Sequence, residues 1–262
     1  MIKPKKSLGQ NFLIDNNIIK KIVLNIDIKD NNILEIGPGT GNLTKEIIKN
    51  NPKNLILIEK DFNLFEKIKK TYQFNKNIKV YNDDVLSINI EKIIKKNTII
   101  FGNLPYNIST QILVKLIKFK KWPPKYNKLI LMFQKEVADK LLAKYNSSNF
   151  GRLTVISNFR LCVINHFNFS KNCFFPKPKV KSTLLVFKPL VSNKYKITKL
   201  ENLENITHEI FSRKRKMINK AFKKLFLDYI KVAKDLKIDL KIRPAQLKSE
   251  TFYKIAQYFE KN

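Results

Sequence analysis

Short apolar segments alternate with amphipathic segments of helical spacing through the first two-thirds of the 262-residue chain. This alternation constrains the fold more than any other feature, because strands that alternate with helices predict a parallel, doubly wound α/β sheet. The predicted strands are residues 33–36, 54–59, 78–81, 98–101 and 129–133, and the predicted helices are 42–49, one through Phe62 and Ile68, 108–119 and one across Val137 and Leu141. Residues 163–169 and 183–187, joined by a proline-containing loop, predict an antiparallel hairpin at the sheet edge.

The pattern changes after Pro189, where convincing strands stop. The remainder predicts a helix over Ile210–Leu227 with one apolar and one basic face, and at most a short strand at Ile238–Leu240. We therefore expect two domains, residues 1–192 and residues 193–262, with the boundary near 189–197.

The chain carries 52 Lys and Arg against 21 Asp and Glu, a net charge of +31. Only five of the basic residues are Arg, so part of the lysine excess is compositional background, but the shortage of acidic residues favours a polyanion partner. A nucleic acid is favoured over an anionic membrane surface. No apolar run is long enough to cross a membrane, and the first six residues have no apolar stretch behind them, so we expect a cytoplasmic protein.

Glycines and carboxylates follow three successive predicted strands. Gly37, Gly39 and Gly41 form a turn after the first, Glu59 ends the second, and Asp84-Val85 follows the third. A turn of this kind lets a ligand approach the main chain, and a carboxylate at the second position can accept from ribose hydroxyls. A second carboxylate can accept from an adenine amine while Val85 packs on the ring. The pattern predicts an adenosine site, and its G-x-G-x-G spacing disfavours the alternative of an NAD-dependent oxidoreductase.

The fourth predicted strand ends in Gly102-Asn103-Leu104-Pro105-Tyr106. The Leu-Pro pair stiffens this turn and directs the Asn103 amide and the Leu104 carbonyl toward the predicted crevice, and Tyr106 offers a face on which a base can stack.

This turn, following Glu35-Ile36-Gly37-Pro38-Gly39-Thr40-Gly41, resembles S-adenosylmethionine-dependent amino-methyltransferases that act on adenine. Further motifs resemble the ribosomal RNA adenine dimethyltransferases, most strongly the small-subunit (16S) enzymes of the KsgA type. They are Lys6–Leu13, Phe150–Leu153, Phe174–Ser182, Phe211–Lys216 and Arg243–Leu247. The resemblance covers nearly the whole chain and implies a Rossmann-like class I methyltransferase sheet, mostly parallel with an antiparallel edge hairpin, and a small C-terminal helical domain.

The resemblance also implies roles for individual residues. The residues expected to bind S-adenosylmethionine are Asn11, Leu13, Gly37, Gly39, Gly41, Glu59, Asp84, Val85 and Asn103. The residues expected at the reacting amine are Asn103, Leu104, Pro105, Tyr106 and Phe174. Tyr106 and Phe174 would sandwich the target base, with Phe175 as the second choice.

The expected partner is small-subunit ribosomal RNA or a pre-30S particle. Arg213, Arg215, Lys216 and Lys220 are the leading RNA contacts, followed by the N-terminal lysines 3, 5 and 6. No metal and no membrane is expected to take part, and a monomer is expected. Two alternatives stay open: a large-subunit rRNA adenine methyltransferase, or a non-enzymatic nucleic-acid-binding factor on the same fold.

Overall fold

The computed structural model describes residues 4–261, except for the side chain of Lys6, and forms two compact units. The strands are β1 (Phe12–Leu13), β2 (Asn32–Ile36), β3 (Asn54–Glu59), β4 (Ile78–Asn82), β5 (Thr98–Gly102), β6 (Tyr126–Gln134), β7 (Leu161–Phe169), β8 (Phe174–Phe175) and β9 (Ser182–Pro189). The helices are α1 (Asn16–Leu24), α2 (Asn42–Lys49), α3 (Phe62–Tyr72), α4 (Ile90–Ile93), α5 (Ser109–Ile117), α6 (Lys135–Leu141), α7 (Arg152–Arg160), α8 (Leu200–Phe211), α9 (Asn219–Leu225), α10 (Tyr229–Leu236) and α11 (Ser249–Lys261).

Seven strands form one mixed sheet in the order β4-β3-β2-β5-β6-β9-β7. The pairs β3–β4, β2–β3, β2–β5 and β5–β6 are parallel, and β9 runs antiparallel to β6. The predicted α/β class and late antiparallel addition are thus confirmed. The strand order changes direction between β2 and β5, and open α/β sheets bind ligands outside the strand ends at such a switch point.

The first unit holds the sheet and its covering helices, in the described residues up to Ala138 and in Val163–Pro189. Residues of β2 such as Ile33 and Leu34 are buried, as the near-continuous apolar runs of a parallel sheet require. Asp15 and Asp61 accept hydrogen bonds from the first backbone amides of α1 and α3, which sets where these helices begin.

The second unit is helical and comprises Asp139–Cys162 together with the described residues from Leu190. Phe211 stacks on Phe252 with ring centroids 5.2 Å apart, and Phe150 lies 6.1 Å from Phe211. Residues 139–162, which the predicted division assigned to the first domain, therefore pack with the tail. Alternation of strands and helices along the chain carries no information about this packing.

The predicted helix over Ile210–Leu227 is wrong, because α8 ends at Phe211 and α9 begins at Asn219. The Ile218 amide donates to the carbonyl of Ile242 at 3.0 Å instead of to a carbonyl four residues earlier. This hydrogen bond to a distant residue uses the backbone N–H of Ile218, which in a continuous helix would donate to a carbonyl of the same helix. The exposed side chains of Arg213 and Arg215 consequently lie in a turn segment and not on one helical face.

The predicted strand at Ile238–Leu240 is also absent from the described tail. Lys237 adopts a left-handed conformation, φ +54°, and the Ile238 amide donates to Ala233 at 2.9 Å, so the segment terminates α10. Within residues 4–261, no helix is sufficiently long and apolar to cross a bilayer.

Candidate active site

A cavity of about 140 Å³ lies at the carboxyl ends of β2, β3, β4 and β5, next to the switch point of the sheet. The N-terminal residues 7–12 line it from the other side. Of the sequence-predicted site residues, nine line this cavity: Asn11, Gly37, Gly39, Glu59, Asp84, Val85, Asn103, Leu104 and Pro105. Leu13, Gly41, Tyr106 and Phe174 do not line it.

The glycine turn after β2 needs glycine for two separate reasons. Gly37, Gly39 and Gly41 all have positive φ angles, of +68°, +57° and +81°, which side chains rarely tolerate. A Cβ atom on Gly39 would also lie 2.8 Å from the ring of Phe12. Gly41 in its left-handed conformation precedes α2, so its role here is to begin that helix.

Glu59 ends β3 with a buried carboxylate that is held by backbone amides. Oε2 accepts from Gly39 at 3.0 Å and Oε1 accepts from Asp61 at 2.8 Å. Burial raises the pKa of Glu59, although these hydrogen bonds oppose the shift. The two carboxylate oxygens together offer about four acceptor positions, so acceptor capacity toward the cavity remains beyond the backbone hydrogen bonds.

Asp84 and Val85 lie in the loop that follows β4. Asp84 Oδ1 accepts from the Leu86 amide at 2.8 Å, and Oδ2 pairs with Lys60 Nζ at 2.8 Å. The hydrogen bond from Lys60 is the main reason that the pKa of Asp84 is lowered. Val85 is buried and adds an apolar surface beside the carboxylate.

Lys115 supports this loop from α5, a role that sequence reasoning missed. Its ammonium group donates to the carbonyls of Leu86 and Ile88, both at 2.7 Å. Burial lowers the pKa of Lys115, and the charges of Asp84 and Asp83 oppose that shift. The signal available in the sequence was the position of Lys115 between two apolar residues, Val114 and Leu116.

Asn103 follows β5, and its side-chain amide nitrogen donates to the Asn11 carbonyl at 2.9 Å. The amide oxygen of Asn103 therefore remains as the acceptor of this side chain. Leu104 is buried, and a Cβ on Gly102 would lie 2.5 Å from a Leu104 methyl carbon, so close packing holds the turn. Asn11 in turn donates from its own side chain to Gly9 at 3.1 Å.

Leu13 and Tyr106 lie beside the cavity and help to anchor its surroundings. The Leu13 carbonyl accepts from Asn42 Nδ2 at 2.8 Å, which ties the N-terminal segment to the start of α2. The Tyr106 hydroxyl shares a short hydrogen bond with the buried hydroxyl of Ser182. Burial raises the pKa of Tyr106, so the phenol stays protonated at neutral pH.

Phe174 and Phe175, the two candidates for stacking on the target base, differ in exposure. Phe174 is 3% exposed and packs in the apolar core with Leu13, whereas Phe175 is 52% exposed. The two residues pair with Leu13 and Phe12 in a two-stranded sheet, and successive strand residues point to opposite sides. The side chain of Phe174 is therefore covered by the core, and that of Phe175 is open to solvent.

Glu35 lies two residues before the glycine turn, and the sequence-based prediction assigns it no role. Its carboxyl is buried, accepts from Thr44 Oγ1 at 2.7 Å and has a pKa raised to about 8, chiefly by burial. The charge of Glu59 adds to that shift. Glu35 is therefore mainly protonated at neutral pH, beneath the turn that contacts Glu59.

A glycine turn, an acidic residue at the next strand end and a switch-point cavity on a seven-stranded sheet of this order define the fold of the class I methyltransferases. Solved structures of other proteins share it. One, a dimethyladenosine transferase from Plasmodium falciparum, has a TM-score of 0.80 and 28% identity over 95% of this chain and 98% of that one. Another, the 23S rRNA methyltransferase ErmE, has a TM-score of 0.68 and 21% identity over 95% and 98%, and supports the fold alone.

A model of the ribosomal RNA adenine dimethylase family matches residues 1–261. A protein of Pelagibacter ubique (strain HTCC1062) named ribosomal RNA small subunit methyltransferase A is 43% identical over 99% of this chain and 98% of its own length. A protein of the same name from Wolbachia pipientis subsp. Culex pipiens is 36% identical over 98% and 96%. The chain belongs to the ribosomal RNA adenine dimethylase family, which confirms the resemblance found in its motifs.

Proposed function

We propose that the protein transfers methyl groups from S-adenosylmethionine to the N6 amine of adenines in small-subunit (16S) ribosomal RNA, giving N6,N6-dimethyladenosine. Family membership supports the reaction, and the names of the 36–43% identical relatives support the small subunit over the large one. Modification of this RNA would make the protein a factor in small-subunit biogenesis. A monomer in the cytoplasm stays a prediction.

The cavity has the features that S-adenosylmethionine requires. Glu59 retains acceptor capacity for the ribose hydroxyls, and Asp84 with Val85 provides an acceptor and an apolar surface for the adenine. Gly37 and Gly39 line the cavity where the methionine part would lie and present no side chain to it. When bound, this cofactor supplies an electrophilic methyl group.

The orientation of the Asn103 amide carries the proposal. Because its nitrogen is engaged by the Asn11 carbonyl, its oxygen is the end that accepts from the target amine. The Leu104 carbonyl would accept the second hydrogen of that amine. Together these acceptors favour a pyramidal nitrogen, whose lone pair is then localised and directed at the methyl group. Such positioning contributes several kcal/mol in preorganised sites, on the order of 3 per well-placed group.

The chain needs no strong general base for this reaction. An adenine amine becomes cationic on methylation and is then acidic enough to lose its proton to water. The two histidines, His166 and His208, are exposed and lie outside the cavity lining, which agrees with this reading.

The target base must leave its stack to reach Asn103, at a cost of a few kcal/mol that is smaller in a loop than in a duplex. Tyr106, half-buried next to Pro105, and the exposed Phe175 are the aromatic residues we assign to it. Exposed lysines 177, 179 and 181 follow Phe175 in the same segment and provide charge for the flanking RNA phosphates.

In the second unit, we propose that Arg213, Arg215, Lys216 and Lys220 contact RNA phosphates. All four are exposed, and they lie on the turn segment and the start of α9. Of the N-terminal lysines, Lys5 pairs with Asp61, which makes it a weaker RNA candidate. Lys3 and the side chain of Lys6 lie outside the described residues.

Radiolabelled methyl transfer tests the proposal. Purified small subunits that lack the modification should accept label from S-adenosylmethionine, and nucleoside analysis should show N6,N6-dimethyladenosine. Purified large subunits serve as the matched substrate control. Label in large subunits alone would support the large-subunit alternative, and label in neither would support a non-enzymatic binding factor.

A further inference from the structure

The N-terminal segment that lines the cavity is bound to one carboxylate, that of Asp61, through an ion pair and a hydrogen bond. Lys5 Nζ and Gln10 Nε2 both lie 3.0 Å from Asp61 Oδ2. The backbone amide of Lys5 donates to Gln10 Oε1 at 2.7 Å, which closes a ring of interactions around the carboxylate. We call this arrangement the latch and residues 5–12 the roof segment.

Asp61 uses its two oxygens for different purposes. Oδ1 accepts from the Asn63 amide at 3.0 Å and caps α3, whereas Oδ2 serves only the latch among the hydrogen bonds described. The residue is 4% exposed. Burial would raise the pKa of Asp61, but the hydrogen bonds from Lys5 and Gln10 and two backbone amides hold it below its ordinary range. A helix cap by itself does not require these two additional donors.

The latch lies one residue from the group that orients Asn103. Gln10 is followed by Asn11, whose carbonyl accepts from the Asn103 amide nitrogen. Gly9, on the other side of Gln10, has a φ of +62°, and a Cβ there would lie 2.9 Å from Asn107 Oδ1. The roof segment is thus packed on the loop after β5 on one side and bound to Asp61 on the other.

Asp61 also connects the roof segment to the proposed ribose acceptor. Its backbone amide donates to Glu59 Oε1 at 2.8 Å, and Oε2 of the same carboxylate accepts from Gly39. Residues 59–61 therefore contact the glycine turn on the cofactor side of the cavity and also the roof segment.

We propose that Asp61 is a positioning residue for methyl transfer: by holding Gln10 and Lys5 it fixes the Asn11 carbonyl and so orients the Asn103 amide. The inference rests on the proposed function. Asp61 acts through the roof segment and does not touch the reacting atoms.

The test compares Asp61→Ser, Gln10→Leu and the double variant. Serine retains an N-cap for α3 but is too short to reach Lys5 and Gln10. Gln10→Leu removes the Gln10 hydrogen bond of the latch, keeps the Lys5–Asp61 ion pair and does not change the cap. Asp15→Ser is the matched control, because Asp15 caps α1 through Oδ1 in the same way and lies outside the latch.

Two measurements are made on each protein: kcat with saturating small subunits and cofactor, and backbone hydrogen exchange without substrate. We expect Asp61→Ser to lower kcat about tenfold or more, since hydrogen bonds to charged groups are individually strong. Exchange should become faster in residues 5–12 but not in α3. Gln10→Leu should show a smaller loss, and the double variant should match Asp61→Ser, because partners in one interaction are not additive.

Any of four results would overturn the proposed positioning role of Asp61. These are wild-type kcat in Asp61→Ser, unchanged exchange in residues 5–12, fully additive losses, or an equal loss in Asp15→Ser. Wild-type protein that methylates neither ribosomal subunit would overturn the proposed function alone, because hydrogen exchange reports the latch without turnover.

Discussion

The side-chain amide of Asn103 donates to the backbone carbonyl of Asn11 at 2.9 Å, across 92 residues of chain. This contact distinguishes the two ends of an amide that could otherwise point either way. The nitrogen donates to the roof segment, and the oxygen remains as a hydrogen-bond acceptor. This hydrogen bond from Asn103 to the N-terminal segment thus determines which end of the Asn103 amide is available as an acceptor.

Asn103→Ala should abolish methyl transfer while cofactor binding persists. We expect the rate to fall by about 10²-fold or more, as in other sites that lose one preorganised polar group. Labelled methyl transfer and calorimetric cofactor binding measure the two effects. Asn17→Ala, on the exposed face of α1, is the matched control. Full activity in Asn103→Ala would contradict the mechanism.

Glu59→Ala should weaken binding of S-adenosylmethionine. The buried carboxylate accepts from Gly39 and Asp61, so its loss removes the proposed ribose acceptor and also loosens the glycine turn. We expect the Kd to rise about 10- to 100-fold, corresponding to roughly 1.5–3 kcal/mol for hydrogen bonds to a charged group. Unchanged affinity by calorimetry would count against the ribose assignment.

Phe174→Ala and Phe175→Ala should have different effects. Phe174 is buried in the core, so its truncation should lower the free energy of unfolding by about 3–5 kcal/mol. Phe175 is half-exposed, so its truncation should leave stability nearly unchanged but lower kcat/KM for the RNA. Urea unfolding and steady-state kinetics measure both quantities. If Phe174→Ala is stable and loses more activity than Phe175→Ala, Phe174 is the residue that stacks on the target base.

Glu35→Gln should flatten the pH dependence of stability. The folded-state pKa of about 8 lies above the ordinary 4.5, so between these values the folded protein holds a proton that the unfolded chain has released. Wild-type stability therefore falls as pH rises through this window, by at most about 1.4 kcal/mol per pH unit from this group. Urea unfolding at pH 6, 7 and 8 should show a smaller decline in the variant. Equal slopes would refute the assignment.

Neutralising Arg213 and Arg215 together, as Arg213→Gln with Arg215→Gln, should weaken RNA binding and its salt dependence. Each lost phosphate contact should reduce the slope of log K against log salt by about 1. Lys67→Gln with Lys70→Gln removes two exposed charges from the far end of α3 and is the control. The RNA assignment fails if both double variants keep the wild-type slope.

Local patterns predicted much of the sheet domain. The bounds of α2 and β3, Asn42–Lys49 and Asn54–Glu59, agree with the sequence-based prediction because their start and stop signals are adjacent in the sequence. Glu59, Asp84 and Asn103 were found because each lies at or just after the carboxyl end of a parallel strand, and such strands end on one edge of the sheet. The break between α8 and α9 was missed because it depends on a hydrogen bond to the distant Ile242.

The sequence alone indicated the family, most strands and helices of the sheet domain and nine of the residues that line the cavity, since periodicity and short motifs are local. Only the tertiary structure decided that Phe175 and not Phe174 is exposed, because that depends on pairing with Phe12 and Leu13, more than 160 residues away. It also decided which end of Asn103 is available and that Asp61 holds the roof segment. Hydrogen bonds between distant residues leave no periodic signal in a single chain.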